Sequence, residues 1–256
     1  MNELVRSLRA AADGRTHIFS VGQAGYIIKS AKGQLLGVDL YLSDCVERIE
    51  GHVGFKRLLP KILSPKDIEF DGIITTHFHG DHFDVDSVGD LMLNTKTLLY
   101  APKDCQEMIQ QLGVPTNRVH YIRPSDVCTL GDFTLCFINC DHGPGAPDAV
   151  GVIVEVDGKR ILEVGDTCLR IDRKDEYLSR GKLDVLIAPI NGAYGNLNEV
   201  ECATLADTLK PQLTIPCHYG MFASHGGNVG MFFDIMRERY PHNKFLLMAQ
   251  GEEYEL

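Results

Sequence analysis

Three histidines and an aspartate fall within six residues, in Thr76-His77-Phe78-His79-Gly80-Asp81-His82, directly behind an apolar, β-branched run at 72–75. No other feature constrains the chain as much, because imidazoles packed this densely beside a buried strand must face one another. His77 and His79 are two residues apart, so in an extended segment their side chains point the same way. Gly80 then permits a sharp turn that aims Asp81 and His82 at a second point. One loop can thus supply two neighbouring metal centres. A solvated polar loop at a strand end is the plainer alternative, and the density of imidazoles argues against it.

The surrounding pattern is short strands first, then strands alternating with helices, twice over. Residues 17–21, 26–29 and 35–38 read as strands joined by glycine-containing turns. Residues 43–65 carry mixed signals. A helix is expected over 85–93, a strand over 98–100, and a helix from Pro102 to 112 with proline in its first turn. Further strands are expected at 133–139, 152–155, 161–164 (after the hairpin signal Asp157-Gly158), 185–188, 213–215 and 245–248. Apolar residues at helical spacing mark 199–209 and 231–240. There is no low-complexity stretch, linker or short repeat. The pattern predicts one α/β domain over 1–256, with two sheets covered by helices on the outside.

Other potential ligands stand at the ends of these strands. His142 follows 133–139, Asp166 follows 161–164, and His218 follows 213–216. Each alone reads as a turn residue. Their shared placement changes that, because ligands in such sheets gather where several strand-end loops converge.

Composition removes several classes of function. The chain has 25 Lys+Arg against 35 Asp+Glu, a formal charge of -10, so phosphate-mediated binding of nucleic acid is not expected. No apolar run can span a bilayer, and the first twenty residues lack a secretory pattern; no membrane partner is expected. The eight cysteines are scattered with no C-x-x-C pair, which excludes a zinc-ribbon or thioredoxin reading. Most lie in apolar runs, as reduced thiols packing in a cytoplasmic protein.

Thr76 to His82, then His142, Gly165-Asp166-Thr167 and the late His218, resemble the ordered motifs of the metallo-β-lactamase superfamily. The resemblance runs from Val21-Gly22-Gln23-Ala24-Gly25 to the last strand. It implies a four-layer αββα sandwich of two mixed sheets with a dinuclear site between them. His77, His79 and His142 would hold the first metal, Asp81, His82 and His218 the second, and Asp166 would bridge. The donors are nitrogen and oxygen only, which suits Zn²⁺ or Mn²⁺ and leaves Fe²⁺ open. Asp81 would also act in catalysis, orienting a metal-bound hydroxide.

Within the superfamily, the segments 73–84, 164–167 and 187–222 look most like the L-ascorbate-6-phosphate lactonase branch. His79 stands where the flavodiiron branch has glutamate, and Asp166 where many antibiotic-cleaving members differ. The resemblance implies a metal-bound hydroxide that opens a small sugar-acid lactone, phosphorylated or not, in a homo-oligomeric protein. The substrate would then be a small anionic molecule, with Asn191, Tyr194, His225 and Asn228 as candidate contacts. A phosphodiesterase acting on a small diester is the alternative enzyme, and a non-catalytic metal-dependent sensor or scaffold the alternative of another class. His17 and His120 are expected to be structural or surface residues, His52 could line the cleft, and Asp39 resembles a carboxylate that braces the metal loop.

Overall fold

The computed structural model describes residues 3–256. It opens with α1 (Glu3–Ala10), then β1 (His17–Gly22), β2 (Gly25–Lys29), β3 (Leu35–Val38), α2 (Cys45–Glu50), β4 (Gly72–Ile74) and α3 (Val88–Leu91). The middle of the chain forms β5 (Leu98–Pro102), α4 (Gln106–Gln111), β6 (Val119–Ile122), β7 (Val127–Leu130) and β8 (Phe133–Asn139). Then follow β9 (Val150–Val156), β10 (Lys159–Glu163), α5 (Lys174–Tyr177), β11 (Val185–Pro189), α6 (Glu199–Leu209), β12 (Leu213–Cys217), α7 (Val229–Arg239) and β13 (Glu253–Glu255).

The strands form two mixed sheets, ordered β13-β1-β2-β3-β4-β5-β6 and β12-β11-β10-β9-β8-β7. Each joins an antiparallel meander to parallel strands. β1, β2 and β3 alternate in direction before β3 to β6 run parallel. β7 to β10 alternate before β10 to β12 run parallel. The loops that leave β8, β10, β11 and β12 therefore emerge on one edge, as do those that leave β3 and β4.

Side chains alternate across each strand, so strands buried on both faces read as continuous apolar runs. Val150, Val152, Val154 and Val156 of β9 meet Ile18, Ile28 and Val38 of the other sheet in the central core. Ile153 points the opposite way, to Leu205 of α6 and Phe232 of α7. Phe19 and Ile27 face outward from the first sheet, toward Leu4 and Leu8 of α1 and Ile109 of α4. The result is the four-layer αββα sandwich. No helix of the described residues is long and apolar enough to cross a membrane.

Three expected elements differ; in the first, Pro102 ends β5 and a 3-10 turn, Lys103–Cys105, precedes α4, so the helix expected over 102–112 is shorter and does not start on the proline. The helix over 85–93 shrinks to α3, because the Asp84 carboxylate accepts from Leu42 N, Ser43 N, Ser43 Oγ and Ser87 Oγ and closes a turn there. Residues 245–248 are not a strand; Phe245 makes a single parallel bridge to Thr214. The final strand is β13, which pairs with β1.

Candidate metal centre

The seven expected ligands come together from four loops. Those after β4 carry His77, His79, Asp81 and His82; those after β8, β10 and β12 carry His142, Asp166 and His218. Their donor atoms form three groups, His77–His79–His142, His77–His82–Asp166 and Asp81–His82–His218, each within 4.8 Å. His79 Nδ1 lies 2.9 Å from His77 Nε2 and 3.2 Å from His142 Nε2. Asp166 Oδ2 lies 3.1 Å from His218 Nε2, 3.4 Å from His82 Nε2 and 3.9 Å from His142 Nε2, between the His77–His79–His142 and Asp81–His82–His218 groups.

This donor set fits divalent metal. Three imidazole nitrogens crowd one point, where a single shared proton cannot satisfy them all. His82 Nε2 is buried with no hydrogen-bond partner, yet it faces carboxylate oxygens of Asp166 at 3.4 Å and Asp81 at 3.6 Å. A nitrogen so placed between two carboxylates takes up either a proton or a metal cation.

A buried scaffold orients the ligands. Asp39, fully buried at the end of β3, accepts from Thr76 N and Thr76 Oγ1 at 2.8 and 2.7 Å and from His82 Nδ1 at 2.7 Å. Thr76 Oγ1 in turn lies 3.0 Å from His77 Nδ1. With both Nδ1 atoms turned outward to Asp39 and Thr76, the Nε2 atoms of His77 and His82 face the centre. Asp39 thus braces the loop, as its resemblance implied. Gly80 sits in the turn closed by His82 N on His79 O, but its backbone is not left-handed. The approach there is close instead: a Cβ would stand 3.0 Å from Val46 Cγ2, which would have to give way.

Gln23 carried no metal-ligand signal in the sequence. It occupies the β1–β2 turn, where Nε2 donates to Asp81 Oδ2 at 2.8 Å and lies 3.1 Å from His218 Nδ1. Gln23, Asp39, Tyr194 and His218 all have left-handed backbone without being glycine, a strained conformation that clusters at functional sites.

Charge is divided across the centre. Burial holds His77, His79 and His142 below the usual imidazole range. Burial opposes protonation of His218 too, but Asp166 and Asp81 prevail and push it up to about 9. His82 is likewise raised against its burial, by Asp166, Asp39 and Asp81. Asp81 is held below the usual carboxylate range against its burial by His82 and His218.

A cleft of about 370 Å³ opens in front of His79, Asp81, His142 and Asp166, and Tyr194 and His225 line it. Asn191 and Asn228 lie beside it, on a more open groove. Asn191 Oδ1 accepts from Asn196, and Asn228 Oδ1 accepts from Met231 N as the cap of α7. His52 is exposed in a 3-10 turn, Gly51–Val53, away from the lining. His17 is buried in β1 against Glu253, and His120 stacks on Tyr100 at 4.9 Å.

A family model described as beta-lactamase superfamily domain matches residues 39–219, most of the chain and every proposed ligand. The chain belongs to the beta-lactamase superfamily. A UPF0173 metal-dependent hydrolase of Polynucleobacter asymbioticus is 26% identical, over 95% of this chain and 87% of that one. Among solved structures, a metallo hydrolase of Ignicoccus hospitalis superposes with TM-score 0.72 at 19% identity, covering 94% of this chain and 98% of that one. The metallo-β-lactamase fold protein YhfI of Bacillus subtilis gives 0.68 at 16% identity, over 95% and 100%. These structures share the metallo-β-lactamase fold with the chain.

Proposed function

We propose that the protein is a metal-dependent hydrolase whose dinuclear centre opens a small lactone. One observation carries this reading: two histidine-containing trios meet on either side of a single carboxylate oxygen of Asp166. His77, His79 and His142 would hold one ion, Asp81, His82 and His218 the other, and Asp166 both. Bound there, Zn²⁺, Mn²⁺ or Fe²⁺ would polarise a carbonyl and bring the pKa of water toward neutrality.

The chain's own residues prepare that chemistry. Asp39 and Thr76 fix the tautomers of His77 and His82. Asp81, held ionised by His82 and His218 and steadied by Gln23, lines the cleft, where its carboxylate orients an attacking water and carries a proton to the leaving alkoxide. Phe55 and Phe78 line the same cleft and add apolar surface beside the ligands. The likeness of 73–84, 164–167 and 187–222 to a lactonase branch supports a ring ester as substrate, and the relatives named metal-dependent hydrolase support the reaction class.

The test is turnover by protein loaded with Zn²⁺ or Mn²⁺, on a panel of lactones and a panel of cyclic and linear phosphodiesters. Ring opening followed by acid release is expected, and Asp81→Ala lowers it by at least about 100-fold. Phosphodiester cleavage with no lactone opened would overturn the reading. Full biological function in Asp81→Ala would favour a sensor.

A further inference from the structure

The lining of the cleft says which ring ester would enter it. Val46 and Ile49 of α2, with Phe55, Phe78, Val85 and Met108, give the cleft that holds the ligand cluster a mainly apolar wall. Among the described residues, no lysine or arginine lines this cleft; Glu50 adds a negative charge to those of Asp81 and Asp166. Cations on the wall-forming segments are turned to acidic partners, Arg48 to Asp86 and Lys56 to Glu47. Near His142, Arg170 is likewise paired with Asp141 and Asp172.

The rim repeats this character. Ile49 is 51% and Tyr194 57% exposed, large apolar surface that marks a binding region when it adjoins a cleft. Phe55 stands edge-on to His225 at 5.2 Å and packs on Tyr194 at 5.7 Å, so the rim is aromatic. A phosphate or carboxylate placed along this wall, away from the ligand cluster, would lose water beside the Glu50 carboxylate and meet no cationic side chain, the His225 imidazole and Tyr194 phenol standing at the rim.

We infer that the substrate is an uncharged acyl compound whose alkyl or aryl substituent lies along this wall while its carbonyl meets the ligand cluster. The inference rests on the hydrolase reading for the reacting end alone. It replaces the phosphorylated sugar acid implied by the branch resemblance with a ring ester that presents carbon to the protein.

The experiment uses γ-lactones bearing no chain, propyl or pentyl, together with 6-phosphogluconolactone, on the metal-loaded full chain. Binding of the matching γ-lactams, which resist hydrolysis, is measured by calorimetry. The expected kcat/KM rises about threefold per methylene, and the phosphorylated lactone falls roughly 100-fold below the pentyl one. Phe55→Ala lowers kcat/KM for the pentyl lactone at least about tenfold. Ile49→Lys, at an exposed position, narrows the gap between neutral and phosphorylated substrates. Lactone opening that ignores chain length, or that favours the phosphorylated compound, overturns the inference and leaves the hydrolase reading standing. Lactams that bind more tightly with chain length while no lactone is opened sustain the inference and sink that reading.

Discussion

Asp39 is 38 residues from the nearest proposed ligand in sequence, yet it decides which nitrogen of His82 faces the centre. Gln23 acts on the opposite side. Its carboxamide holds Asp81 Oδ2 and touches the His218 ring, and the turn that carries it accepts the His218 N–H at its own carbonyl. Removing such a partner of a metal ligand costs about 10–100-fold in metal affinity. Gln23→Ala is therefore expected to weaken one of the two binding events by that factor and leave the other unchanged, read by competition with a chromophoric chelator. Equal weakening of both, or of neither, would contradict the role. The ligands themselves were legible because H-x-H-x-D-H compresses four of them into one loop. Gln23 was not, since its contacts depend on a hairpin turn reaching across to β12, which no local spacing reveals.

At the scale of the element, strands buried on both faces were the most readable part of the chain. β3, β8 and α6 lie over the expected spans, because apolar runs and helical spacing there coincide with burial. α2 was hidden in the mixed stretch 43–65, where it packs Cys45 and Val46 into a small cluster with Tyr41, Met221 and Phe222. β13 was hidden for the opposite reason: Glu253, Tyr254 and Glu255 form an edge strand with little apolar content. α6 begins with a full capping box, in which Asn198 Oδ1 accepts from Glu201 N and Glu201 Oε2 accepts from Asn198 N. Asn198→Ala is expected to destabilise the protein by about 1 kcal/mol, seen as a lower urea midpoint with unchanged slope. An unchanged midpoint would show that burial alone sets where α6 starts.

For the whole molecule, two sheets bring strand-end loops from both halves of the chain to one cleft. The apolar lining of that cleft is what the inference of an uncharged substrate rests on. All eight cysteines are free thiols, and Cys45, Cys105, Cys136, Cys202 and Cys217 are buried. The centre itself couples to protons. His218, raised to about 9 by Asp166 and Asp81, is protonated at neutral pH in metal-stripped protein. Its contribution to the stability of that form is complete below about 6.5 and fades as pH rises through 9. A metal ion must displace that proton, so affinity should grow as pH rises toward 9 and fall as it drops.

The most direct test of the central claim is a calorimetric titration of metal-stripped protein with Zn²⁺ or Mn²⁺ at pH 7.5, repeated in buffers of different ionisation enthalpy. Two ions bound per chain, with net proton release on filling the site that contains His218, is the predicted result. One ion or none, with no second site at any concentration, would contradict the account.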